Sequence, residues 1–132
     1  MRTNHKLWFA GLVGVFIGGA GATVIRANQV EAPPAYLISE ADAIDTAGVQ
    51  KYGEKLPETR APFKGRYNFL VRGSTKPQAL DDEPPKGMVV IAFDSAEIAR
   101  GWYDSRAYQA VRPIRLSSTK GRMFIVEGVA PR

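Results

Sequence analysis

The chain has 132 residues, 45% hydrophobic and 23% charged, with a formal net charge of +5, the size and make-up of one domain able to bury its own core. It contains no cysteine, which excludes disulfides, thiol catalysis and thiolate metal sites. Three of its 18 bases, Arg2, Lys6 and Arg26, precede the first acid, Glu31, which leaves 15 bases against 13 acids; the remainder is nearly balanced, so the charge is no argument for a polyanionic partner.

Residues 1–6 (MRTNHK) are basic, and residues 7–25 carry no charge. At roughly 1.5 Å per residue, a helix of that length just spans a hydrocarbon core of about 30 Å. Two readings stay open for residues 1–27. One is a cleaved secretory signal, with small residues near Ala20 to Ala22 or at Ala27 as the cleavage site. The other is an uncleaved anchor that crosses the membrane through residues 7–25, its N-terminus held in the cytoplasm by Arg2 and Lys6. Both place the domain in the cell envelope, periplasmic, secreted or tethered outside the cytoplasmic membrane. Gly14 and Gly18 have the spacing of a transmembrane dimerisation face, a weak signal in a glycine-rich stretch.

Residues 28–34 (NQVEAPP) form a polar, proline-ending linker. The domain is expected over 35–128, with a short tail over 129–132. In residues 35–41 the period of two puts Tyr36, Ile38 and Glu40 on one face of a strand and Leu37, Ser39 and Ala41 on the other. Asp45 is placed as an N-cap, and Val49, Tyr52 and Leu56 recur as a buried helical stripe that Pro57 interrupts, with a brief restart before Pro62. Residues 66–72 alternate Tyr67, Phe69 and Val71 against Arg66, Asn68 and Arg72, a second strand. Residues 73–86 are polar and proline-rich, an exposed mobile loop.

Residues 88–93 (MVVIAF) are an unbroken apolar run that predicts a central strand covered on both faces. Ser95 caps a helix from about Ala96, where Glu97 favours the positive end of the dipole. Ile98, Ala99, Trp102 and Tyr103 make its apolar face. Asp104 and Ser105 stop it and cap a second helix with Tyr108, Val111 and Arg112. Pro113 predicts a break, followed by one further turn. Residues 122–127 (RMFIVE) supply the fourth strand. The order βαββαβ is an α+β pattern: a four-stranded antiparallel sheet with helices on one face. The other face needs a cover.

The wording FDSAEIARGWYDSRAYQAVRPIR resembles the DUF1330 family, as do AYLISEADAID and GRYNFLVRG for its first and second strands. The resemblance covers residues 35–128. It implies a ferredoxin-like fold that pairs as a dimeric α/β barrel, hence a homodimer, and no established enzymatic activity. Thr46 stands where the family has proline, and Lys64-Gly65 and Gly73-Ser74 replace glycine pairs.

The residues give no reaction. His5 is the one histidine and sits outside the domain, which excludes histidine-ligated haem and leaves no histidine base or metal ligand there. No cofactor is expected. Lys64 to Phe69 has the look of an RNA-binding motif, but Arg66 and Asn68 occupy its aromatic positions, so no nucleic acid is expected. Asp81, Asp82 and Glu83 form a solvated loop, with a weak cation site as the alternative; no metal is expected. Glu40 is a candidate base, set against an ion pair with Arg72 or Arg115. Tyr103, Tyr108 and Arg115 are candidates for a pocket in which Arg115 receives a carboxylate, and Arg72 for a pocket cation; packing is the plainer role for the tyrosines.

The leading expectation is thus a dimeric domain that binds a small apolar or acidic molecule. An isomerase or monooxygenase-like enzyme without cofactor, using Glu40, Tyr108 and Arg115, competes with it, as does an envelope interaction module.

Overall fold

The computed structural model describes residues 31–63 and 66–130. The elements run β1 (Ala35–Ala43), α1 (Thr46–Thr59), a 3-10 turn (Ala61–Phe63), β2 (Tyr67–Val71), β3 (Met88–Phe93), α2 (Ala96–Asp104), α3 (Arg106–Ser118) and β4 (Thr119–Glu127). The strands form one antiparallel sheet ordered β2-β3-β1-β4, and the helices lie on one of its faces. This is the ferredoxin-like arrangement. The apolar stretch over 7–25 lies outside the described residues; among those described, no helix is long and apolar enough to cross a membrane.

Period-two patterning works in β1: Ala35, Leu37 and Ser39 are buried, and Tyr36, Ile38 and Glu40 are half-buried on the opposite face. Both β1 and β4 are longer than their apolar runs, because the two continue to pair through Ala41 and Gly121, Asp42 and Lys120, and Ala43 and Thr119. Gly121 makes that possible. A Cβ there would fall 1.9 Å from the Glu40 carbonyl oxygen, at a φ of +158°.

Two expected breaks are absent, since Pro57 and Pro113 both lie within continuous helices. Each proline removes the donor to the carbonyl four residues back, at Gly53 or Gln109. All four residues are exposed, so water replaces the lost bond. The serine caps are as read: Ser95 accepts from the Ile98 amide and Ser105 from the Tyr108 amide, each at 3.2 Å. Asp45 holds the N-cap position of α1, but its side chain makes no cap hydrogen bond. The Val49, Tyr52 and Leu56 stripe is half-buried rather than buried, because a cavity lies beneath it.

The core joins Leu37, Tyr67, Ile91 and Phe93 of the sheet to Ala99, Trp102, Tyr108 and Val111 of α2 and α3. Trp102 is its hub, with ring centroids 4.1 Å from Tyr108 and 5.4 Å from Tyr67. Its indole Nε1–H donates to the Thr59 hydroxyl at 3.1 Å, and that hydroxyl donates to the Leu56 carbonyl at 2.7 Å. The last turn of α1 is thereby tied to α2.

β3 is central, but within this chain only one of its faces is covered. Ile91 and Phe93 meet the helices, while Met88, Val90 and Ala92 are half-buried on the far side. That side is continuous with Tyr36, Ile38, Phe124 and Val126, which pair in register across the strands.

Trp102→Ala removes both the hub and the donor to Thr59. Large aromatic truncations in cores lose about 3–5 kcal/mol, and urea unfolding is expected to show a loss of that size, whereas Leu80→Ala, at a side chain 96% exposed, is expected to change little.

Candidate functional site

Between the sheet and the two outer helices lies a cavity of about 520 Å³. Its walls come from Ser39 and Ala41 of β1, Val49, Tyr52 and Leu56 of α1, Met88 and Val89 of β3, and Arg115 of α3, with Lys86 and Gly87 at one side. The spacing in α1 explains the α1 wall, because residues three and four apart share a helix face. Arg115 lies seven residues beyond Tyr108, two helical turns on, so the two side chains project from the same face of α3.

Arg115 is 8% exposed. Its Nε–H donates to the Tyr108 hydroxyl at 3.0 Å, and among the described residues no carboxylate pairs with it. Tyr108 is fully buried. Its hydroxyl also accepts from the Tyr52 hydroxyl at 3.3 Å and donates to the Met123 sulfur at 3.8 Å. Both of the oxygen's acceptor sites are thus taken. Tyr108 positions the guanidinium of Arg115 and Tyr52 beside it, and among the described residues no side chain supplies the countercharge.

Burial, followed by the neighbouring Tyr108, pushes the Tyr52 phenol well above the usual range, and the Arg115 charge only partly opposes this. Burial also pushes the Tyr67 phenol up, against the opposing charge of Arg60. Tyr52 is therefore a neutral hydrogen-bond donor at ordinary pH. Of the described residues that line the cavity, none is a carboxylate or histidine. The arrangement can hold an anion and donate hydrogen bonds, and among its described lining residues no carboxylate or histidine is present to act as a general base.

The candidates named from the sequence separate into different places. Arg115 lines the cavity and Tyr108 stands directly behind it. Tyr103 does not line the cavity: its ring packs 5.3 Å from that of Tyr108, and its hydroxyl accepts from Arg112 Nε at 3.0 Å. Arg72 is exposed and lies with its guanidinium carbon 4.8 Å from the Phe69 ring centre. Glu40 is on the opposite face of the sheet and accepts from Arg122 Nε at 2.6 Å, so its partner is neither Arg72 nor Arg115. This bond and the Glu40 charge raise the Arg122 guanidinium further. The trio of Glu40, Tyr108 and Arg115 is not assembled within one subunit. Asp81, Asp82 and Glu83 are exposed, and among the described residues no group of three acidic or histidine side chains could hold a metal ion.

Tyr52, Ser39 and Lys86 were not singled out by sequence reasoning. For Tyr52 a signal existed: it is the one residue with a polar tip in the stripe of Val49, Tyr52 and Leu56. Ser39 and Lys86 carry no comparable mark.

The fold and this cavity define a ferredoxin-like α+β domain with a pocket between sheet and helices. Residues 34–129 match the family described as "Domain of unknown function (DUF1330)", and the chain belongs to that family. No curated protein matches the chain. Among solved structures, it is similar to a dimeric ferredoxin-like protein of unknown function from Thermobifida fusca, at 16% identity and TM-score 0.52 over 74% of this chain and 92% of the other. A hypothetical Arabidopsis thaliana protein is similar at 11% identity and TM-score 0.55, over 78% and 94% of the two chains. The cofactor-independent oxygenase SnoaB from Streptomyces nogalater reaches 8% identity and TM-score 0.49, over 76% and 97%. At these identities the likeness is one of fold alone.

A folded-state phenol held above its unfolded value stabilises the fold fully below about pH 10, and that contribution is lost as pH rises, because the unfolded phenol ionises first. Tyr52 and Tyr67 are both of this kind. An alkaline titration is expected to show stability falling above about pH 10, by roughly 1.4 kcal/mol per pH unit for each such group. At least two of the five tyrosines should gain phenolate absorbance only in step with unfolding.

Proposed function

We propose that this protein is a homodimeric binding domain for a small acidic molecule with an apolar body. The observation that carries the reading is Arg115, a buried guanidinium on a cavity wall with no carboxylate partner among the described residues. A buried cation without a countercharge lowers the stability of the chain that holds it. A ligand carboxylate meeting the fork of the guanidinium supplies that charge in a favoured bidentate geometry. Val49, Leu56 and Val89 leave the rest of the space apolar, which suits a hydrocarbon or aromatic body.

The dimer is supported by the open face of the sheet. Phe124 and Val126 are 37% and 42% exposed and belong to an apolar surface running through Ile38 and Val90. A face of that kind is stabilised by a second copy laid sheet against sheet. The uncharged stretch over 7–25 supports a location outside the cytoplasmic membrane, reached by export or held by an anchor.

Binding, rather than turnover, agrees with a cavity wall in which no described side chain is a carboxylate or histidine. Native mass spectrometry of protein recovered without denaturant is expected to show a reproducible extra mass. Arg115→Met should lose that mass while its unfolding free energy stays within about 1 kcal/mol of the unliganded parent, since replacing a buried charge by an apolar chain of similar volume is close to neutral. An adduct retained by Arg115→Met, or no adduct and no stabilisation by any acid in a panel of apolar carboxylates, would overturn the assignment.

Sedimentation tests the dimer separately. Phe124→Asp is expected to sediment as a folded monomer, and an unchanged assembly would place the interface elsewhere.

A further inference from the structure

Arg60 and Arg72 stand on either side of β2, and both guanidinium groups lie over the same ring. Arg60, at the end of α1, is 5.5 Å from the Phe69 ring centre, and Arg72, just past β2, is 4.8 Å from it. Arg60 also stacks on Tyr67, 4.6 Å from that ring centre. Both contacts are of the cation–π kind, and they bring two like charges to one ring at the β2 edge of the sheet. Neither arginine pairs with a carboxylate among the described residues. The nearby Arg66 does have one: it faces Asp94 at 3.8 Å.

A second observation falls in the same place. Among the described residues, the buried side-chain polar atoms with no hydrogen-bond partner are Arg60 Nε and the Tyr67 hydroxyl. Tyr67 is 3% exposed. Orphaned buried donors are uncommon in folded proteins and call for a partner. Here both sit on one stacked pair of side chains, beside a second unpaired guanidinium whose charge also acts on the Tyr67 phenol. None of Arg60, Arg72, Tyr67 and Phe69 lines the Arg115 cavity.

We propose that Arg60 and Arg72, held over Phe69 beside Tyr67, form a binding site for a phosphate-type oxyanion at the β2 edge of the sheet, separate from the Arg115 cavity. The guanidinium carbons lie 5.5 and 4.8 Å from one ring centre; in the proposed site both forks turn to the same side of that ring, where charge-assisted hydrogen bonds of about 2.8 Å let one tetrahedral oxyanion meet the two. The half-buried Arg60 and the exposed Arg72 leave the site open to solvent. Its occupant is an inorganic phosphate or the phosphate group of a small ester, and the two share this chemistry.

The test is calorimetric titration of the full-length chain with inorganic phosphate and with a simple phosphate monoester, at constant ionic strength set by chloride. Saturable binding in the millimolar range or tighter is expected. Arg72→Gln, at an exposed position, should fold normally and weaken binding by about tenfold or more, the loss expected for one charge-assisted contact. Arg115→Gln should leave the affinity unchanged. Tighter binding of the monoester would identify the occupant as an ester, and tighter binding of inorganic phosphate would identify the free ion. The site is overturned by equal affinity in the parent and Arg72→Gln, by loss of binding in Arg115→Gln, or by heats no larger than those of chloride. None of these results depends on whether the cavity takes a carboxylate.

Discussion

The hydroxyl of Tyr108 accepts hydrogen bonds from Arg115 and from Tyr52, and the ring that carries it lies 4.1 Å from Trp102. The core and the cavity meet at this one side chain. Trp102 is pinned in turn through Thr59 to the end of α1, so α1, which forms one wall, and α3, which supplies the cation, are referenced to the same hub. Arg115 thereby keeps its place although no acid among the described residues neutralises it. A guanidinium aimed by packing and a hydroxyl, with no carboxylate beside it among the described residues, is the feature on which the proposed binding role rests.

The energetics favour the same division of labour. The aromatic cluster of Tyr67, Phe93, Trp102 and Tyr108 stabilises the core through edge-on and tilted contacts that add to the area these rings bury. The exposed ion pairs, such as Arg100 with Asp104, contribute little by comparison. Arg115 and the apolar sheet face both work against the isolated chain. In the proposed reading a ligand would relieve the first and a second copy the second, and occupancy and assembly would each raise stability by mass action.

What could be read from the sequence was whatever depends on near neighbours. The alternation in β1 and β2, the apolar run of β3 and the serine caps at Ser95 and Ser105 all rest on contacts within a few residues, and they stand in the structure. Pro57 and Pro113 misled because a proline's effect on a helix depends on whether water can reach the carbonyl it leaves unpaired, and burial is a property of the whole fold. The partner of Glu40 lies 82 residues away at Arg122, and that of Tyr52 lies 56 residues away at Tyr108. No local pattern marks either pairing. Arg115 was a candidate because a basic residue stood among tyrosines at helical spacing, and Tyr108 for the same reason. Tyr103 and Arg72 had equal standing in the sequence, but they point to other surroundings once the helices and the β2 edge are in place.

The central claim, that Arg115 is an uncompensated cation awaiting a carboxylate, can be read at the side chain itself. In isotope-labelled protein, the Nε–Hε resonance of Arg115 should be followed by nuclear magnetic resonance while an apolar aromatic monocarboxylate, and then its neutral amide, is titrated in. The account predicts a saturable shift and slowed hydrogen exchange with the acid, and no comparable change with the amide. A resonance that stays fixed for every acid tried, or that responds equally to the amide, would contradict it.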